Sequence, residues 1–161
     1  HILKNQWDLY SSNIIPNIST RFELNLFNTL RSFITYDKFF PKKLVKHNDE
    51  RGFFSEIIKT KSEGQSSIST TIPGITRGNH FHTRKIERFV VTQGKALVEL
   101  RKIDSNKKIS FIIEGAKLNF IDIPIWYTHN IKNIGTETLV TLFWINEPYD
   151  PQNSDTYFIE V

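Results

Sequence analysis

The chain has no cysteine and no methionine among its 161 residues, and only seven glycines and six prolines. Without cysteine, disulfides, thiolate zinc sites and thiol nucleophiles are all excluded. No stretch approaches the ~18 uninterrupted apolar residues of a membrane helix. Nor does a basic start lead into an apolar run with a small-residue cleavage site, so no secretory signal is read and a cytoplasmic location is expected. Long runs of one charge are missing as well. Lys and Arg number 21 against 17 Asp and Glu, a net +4, and apart from Lys42-Lys43 and Lys107-Lys108 they are scattered among acids. That pattern does not point to nucleic acid and leaves anionic small molecules as partners. The missing methionine, in a chain that opens on His1, suggests a piece of a longer protein.

Aromatic bulk, by contrast, is plentiful. Thirteen Phe, five Tyr and three Trp suffice for one core, and 161 residues suit one domain with an appendage. Residues 1–17 read as a poorly defined lead-in ending at Pro16-Asn17. Over 18–34, Phe22, Leu26, Phe27, Leu30, Phe33 and Ile34 fall at helical spacing. Ser19 or Thr20 is placed to cap that helix, with Glu23 in its first turn. After Pro41 the texture changes. Segments 53–61, 66–72, 88–92, 96–103, 108–113, 119–123 and 139–145 are short and rich in β-branched and aromatic residues. Turn signals such as Pro73-Gly74, Gln93-Gly94 and Asp104-Ser105-Asn106 punctuate them. The expected fold is all-β, a sandwich or barrel behind a short N-terminal helical segment.

The chemistry concentrates in Arg77-Gly78-Asn79-His80-Phe81-His82, with Glu87 and Gly94 downstream. In a strand, His80 and His82 share one face. A turn at 83–86 would return Glu87 beside them, and His129 supplies a third imidazole. Three His and one Glu form a nitrogen–oxygen ligand set for zinc, iron, manganese or nickel. A histidine in a β protein is ordinarily a surface or hydrogen-bonded core residue, and His47 is read that way.

The spacing Gly78-x-His80-x-His82, Glu87, Gly94 resembles the first motif of the cupin superfamily, and Pro124…His129…Asn133 resembles the second, without the glycine that usually follows the proline. The resemblance implies a double-stranded β-helix, a small jelly-roll barrel. Longer stretches narrow it. Residues 41–56 and 69–82, Asp122-Ile123-Pro124, 127–131 and 143–147 are similar to the C-terminal cupin domain of the CapF capsular polysaccharide assembling enzymes. That likeness implies a cupin domain over 41–161, with 1–40 as a helical linker left from an upstream reductase domain. It implies C3 epimerisation of a UDP-linked 4-keto-6-deoxy-N-acetylhexosamine, on the route to UDP-N-acetyl-L-fucosamine. It also implies zinc held by His80, His82, Glu87 and His129. NADPH would serve only the reductase, whose Gly-x-Gly-x-x-Gly fingerprint is absent here.

Epimerisation beside a ketone needs a base, a proton donor on the opposite face and a group to hold the enolate oxygen. His80 is a candidate base as well as a candidate ligand, because the same Arg-Gly-x-His string resembles metal-free keto-sugar 3,5-epimerases and 3,4-ketoisomerases. Its accepting nitrogen cannot do both. Tyr127 is a candidate proton donor or, equally, a core tyrosine. Arg77, Arg51 and Trp126 are candidate substrate contacts, Arg77 foremost for a diphosphate. A ketoisomerase and a non-catalytic, metal-stabilised cupin that binds nucleotide sugar remain alternatives. A homodimer is expected, because a small barrel leaves strand edges to cover.

Overall fold

Thr20 starts a helix because its hydroxyl accepts the Glu23 N–H (3.2 Å) while the Glu23 carboxylate accepts the Thr20 N–H (3.1 Å). This reciprocal capping box opens α2 (Arg21–Ser32), within the expected 18–34 span. In the computed structural model, which describes every residue except Glu63, the lead-in also folds. Residues Ile2–Ser11 form α1, and Ile14–Ile15 form β1. No capping residue announces α1; packing holds it instead. Tyr10 meets Phe27 edge-on at 5.0 Å, and the buried Gln6 amide donates to the Glu23 carbonyl. A short third helix, α3 (Tyr36–Phe39), leads to the barrel.

The barrel strands are β2 (His47–Asp49), β3 (Gly52–Thr60), β4 (Gln65–Thr71), β5 (Thr76–Phe81), β6 (Glu87–Gln93), β7 (Lys95–Lys102) and β8 (Lys108–Glu114). They continue with β9 (Phe120–Ile123), β10 (Tyr127–Asn133), β11 (Leu139–Ile145) and β12 (Tyr157–Phe158). One sheet runs β1-β3-β4-β11-β6-β9 with β2 on β3, and the other runs β12-β5-β10-β7-β8. Every pairing is antiparallel except β1 on β3, which ties the lead-in to the barrel. This is the two-sheet, all-β cupin architecture.

The sheets enclose an asymmetric interior. Phe89, Val91, Ala96, Val98, Leu100, Ile113, Ile123, Ile131 and Leu139 form one buried apolar cluster. Each fully buried aliphatic or aromatic side chain there contributes about 1.5–3 kcal/mol. On β4 the inward residues Gln65, Ser67, Ser69 and Thr71 are instead all polar and buried. These small side chains face the larger Phe54 and Phe143 on the neighbouring strands, in register with Ser69 and Ser67 respectively. The volume they leave unfilled is where the site lies.

Candidate metal centre and cavity

Register brings the histidines together. His129 on β10 pairs directly with His80 on β5, and the ring centroids are 4.6 Å apart. Gly78 permits this approach: at φ 101°, an added Cβ would meet the His129 carbonyl oxygen at 2.7 Å and the Asn130 Cα at 2.9 Å. His82 follows the end of β5, and residues 83–86 turn the chain back so that Glu87 opens β6. Among the described residues, one ligand atom from each of His80, His82, Glu87 and His129 lies within 4.8 Å of the others. The expected quartet is therefore assembled.

A divalent metal fits these four side chains. Glu87 Oε2 lies 2.9 Å from His129 Nε2 and 3.3 Å from His82 Nε2. All three atoms are buried, yet none has a hydrogen-bond partner. Buried polar atoms left without partners are costly. Ligands about 2.1 Å from a tetrahedral centre lie about 3.4 Å apart, close to the spacing of Glu87 from His82 and His129. Electrostatics favour the deprotonated ligand at His80 and Glu87, and the protonated imidazole at His82. Burial, with the neighbouring His129, pulls the His80 imidazole down to about 4. Burial alone would raise the Glu87 carboxyl, but the facing His129 and His82 imidazoles outweigh it and hold the group well below its ordinary value. At His82 burial disfavours the charged form, and Glu87 together with the Asp155 carbonyl overturns that, leaving the imidazole above its usual value.

A cavity of about 430 Å³ opens over the quartet, lined by His80, Glu87 and His129 together with Arg51, Arg77, Phe54, Phe143 and Tyr149. That volume lies in the range of small-molecule sites. Arg77 is held at the far end: its Nε donates to Thr71 Oγ1 and its Nη2 to the Thr70 carbonyl, each at 3.1 Å. Asp49 collects both guanidinium groups, donated to by Arg51 Nη2 at 2.5 Å and facing Arg77 Nη2 at 3.6 Å. The Arg51 hydrogen bonds hold the Asp49 carboxyl at about 2, while burial and the nearby Arg51 lower Arg77 from its ordinary value. Two guanidinium groups, one of them partly desolvated, stand at this end with Asp49 paired to both, and their N–H groups are donors of the kind a phosphate accepts.

Two other expected site residues sit elsewhere. Tyr127 shares a strand face with His129, but the cavity extends from His129 towards Ile131 and Gly78, in the opposite direction along β10. Tyr127 packs instead against the apolar cluster. Trp126, at φ 65°, has its ring 5.8 Å from that of Phe81 and is absent from the described lining. Strand alternation fixes the face that Tyr127 shares with His129, but not the direction in which the cavity opens along the strand.

Sequence reading missed the C-terminal contribution. Tyr149, Ser154, Thr156 and Phe158 complete the wall, and a second lobe of about 230 Å³ adds the buried Lys85, Gln65 and Ser67. Residues 146–156 lack strand periodicity, and only the cluster of Pro, Asp and Asn marks them as loop. No local signal shows where that loop lies.

Comparison with known proteins agrees with this architecture. Residues 47–157 match the family model described as the polysaccharide biosynthesis C-terminal domain. The chain is 38% identical over 136 residues to the UDP-2-acetamido-2,6-beta-L-arabino-hexul-4-ose reductase of Pseudomonas aeruginosa, covering 84% of this chain and 36% of that protein. It is 26% identical over 125 residues to the spore coat polysaccharide biosynthesis protein SpsL of Bacillus subtilis, covering 71% of this chain and 82% of SpsL. The crystal structure of the capsular polysaccharide assembling protein CapF from Staphylococcus aureus superposes with a TM-score of 0.88 at 39% identity, covering 99% of this chain and 43% of CapF. The chain thus spans less than half of the reductase and of CapF. With the two-sheet barrel and the matched 47–157 span, the chain is a CapF-like cupin and belongs to the polysaccharide biosynthesis C-terminal domain family.

Proposed function

We propose that the chain is a C3-epimerase module for a UDP-linked 4-keto-6-deoxy-N-acetylhexosamine in capsular polysaccharide synthesis, on the UDP-N-acetyl-L-fucosamine route. The observation that carries this reading is a cavity lined by His80, Glu87 and His129 of the four-residue cluster and, beyond them, by Arg77 and Arg51. A keto-sugar nucleotide needs both: a site for its carbonyl and a cationic site for its diphosphate. Residues 41–161 are the catalytic cupin and 1–40 a helical linker. The module acts in the cytoplasm as a homodimer. Its product is a 3-epimerised 4-ketone, the class of compound an NADPH-dependent carbonyl reductase consumes.

His80, His82, Glu87 and His129 would hold zinc, which when bound supplies Lewis acidity to a carbonyl oxygen. The remaining steps belong to the chain. Arg77 and Arg51 hold the diphosphate. Phe54 and Phe143, stacked at 5.9 Å, give the sugar an apolar wall and keep water from it. Proton transfer at C3 needs a protic side chain that is not a ligand, and the arginines do not deprotonate. Tyr149 lines both lobes, with the Lys85 ammonium 5.5 Å from its ring, and is the proton donor on one face of C3.

The test is incubation with the 4-keto sugar in deuterated water. The wild type should exchange the C3 proton and invert that carbon while the carbonyl stays at C4. A carbonyl moved to C3 would make the protein a ketoisomerase, and binding without exchange would make it a non-catalytic cupin. Tyr149→Phe should slow exchange by ~100-fold with metal retained, whereas Tyr127→Phe should leave it near the wild-type rate.

A further inference from the structure

The C-terminal segment reaches the metal cluster at two points: Phe158 on β12 pairs with His80, and Asp155 meets His82. Asp155 is buried, 5% exposed, and adopts a left-handed φ of 46°. Its carboxylate accepts the backbone N–H groups of Thr83 (3.1 Å), Arg84 (3.0 Å) and Lys85 (3.0 Å), together with the Thr83 hydroxyl (2.6 Å). These residues make the turn that carries the chain from His82 to Glu87. The Asp155 backbone carbonyl also lies 2.5 Å from His82 Nδ1. A carbonyl oxygen only accepts, so Nδ1 carries the proton, and Nε2 is the nitrogen left with its lone pair for the cluster. Adjoining residues reinforce the arrangement, since Lys85 Nζ donates to the Ser154 carbonyl (2.6 Å) and Arg84 Nη2 to the Asn153 carbonyl (2.7 Å).

We infer that Asp155 is a positioning residue for the metal centre. Its carbonyl sets the tautomer and ring orientation of His82, and its carboxylate fixes the span between two ligands. Ser154 and Thr156, which flank it, line the cavity, so the same anchor places the wall that faces the substrate. A backbone carbonyl on the distal nitrogen of a ligating histidine raises ligand basicity and restricts the ring, and losing such a partner typically costs about 10–100-fold in metal affinity. In this chain the partner comes from 73 residues downstream, and the carboxylate of that same residue holds it in place.

The inference rests on the metal reading of the quartet, and the wild type reports on that reading separately. Zinc affinity is measured by chelator competition on the full chain, and the cobalt(II) form is followed by its visible absorption. A wild type that binds neither ion overturns the metal centre and the inference with it. Given binding, Asp155→Ala should bind zinc about 10–100-fold more weakly and shift the cobalt absorption. Asp155→Asn keeps one acceptor oxygen but sets an NH₂ against backbone donors, and should fall between the two. A folded Asp155→Ala with wild-type zinc affinity and cobalt spectrum overturns the inference, even if its melting temperature is lower. Should Asp155→Ala fail to fold, Asp155→Asn decides on the same two readouts: a weakened affinity with a shifted spectrum supports it, and wild-type values for both overturn it.

Discussion

At the scale of single residues, Glu87 is the member of the quartet on which most depends. It is the one anion among three imidazoles, and it sits within 3.3 Å of two of them. Glu87→Ala should lower zinc content and melting temperature together, because a metal bound only to the folded state stabilises it by mass action. His80→Ala should do the same. Full zinc occupancy in either variant, measured by elemental analysis, would remove that residue from the ligand set and, for His80, restore its reading as a base. Asp155 gives a pH signature of its own. Burial alone would raise its carboxyl, but the Thr83 hydroxyl and the turn N–H groups outweigh burial and lower it from the ordinary 3.8. The unfolded chain therefore takes up this proton at higher pH than the folded one. The stability Asp155 contributes is complete above the unfolded value and is lost as pH falls through the folded one. In the metal-free chain, the advantage of wild type over Asp155→Asn should shrink between about pH 5 and about pH 2 in denaturant titrations. A gap that stays constant over that interval would show that the carboxylate charge contributes nothing.

At the scale of elements, the junction of β5 with β10 decides whether the ligands meet. Gly78 sits where the backbone has a left-handed φ and where the opposing strand leaves no room for a Cβ. Gly78→Ala should push the two strands apart, destabilise the protein by several kcal/mol and cost metal affinity along with it. Gly74, which has φ 81° but open space around its Cβ position, is the control. Gly74→Ala carries only the conformational penalty, about 1–2 kcal/mol, and should leave zinc binding unchanged. Equal loss of metal in both variants would mean that backbone strain, and not strand separation, matters. Elements also show where sequence reading reached and where it stopped. The strands with dense β-branched or aromatic residues, such as β7, β8 and β11, were legible at close to their observed bounds. The helix α1 was not, because it lacks a capping side chain and an acidic first turn. Strand β5 was legible only through its histidines, since Arg-Gly-Asn has little strand propensity.

At the scale of the molecule, the two sheets end side by side at β8 and β9, the outer strands of each. Phe111, Ile112, Leu118 and Phe120 stand exposed there, Ile112 and Leu118 by about two-thirds of their surface. Contiguous apolar side chains at strand edges are the surface that a second copy of the chain would cover in the proposed homodimer. Light scattering at micromolar concentration should return twice the 18.9 kDa chain mass, and Ile112→Lys should return the monomer mass. A monomeric wild type would reject the homodimer, and a dimeric Ile112→Lys would reject this surface as its interface. Among the described residues, no helix is long and apolar enough to cross a membrane.

Sequence alone was enough for the all-β class, for a capped helix within 18–34 and, through the cupin resemblance, for the four candidate ligands. The first two, and the His80–His82 pair, rest on local physics: side-chain period along a strand, a capping hydroxyl three residues before a glutamate, and two imidazoles two residues apart. Tertiary structure alone decided which way the cavity opens from His129, and so put Tyr149, and not Tyr127, in its lining. It alone brought Asp155 to His82 across 73 residues of chain. Contacts of that kind depend on where the closed barrel carries a loop that has no periodicity, and nothing in the residues near either partner encodes the meeting.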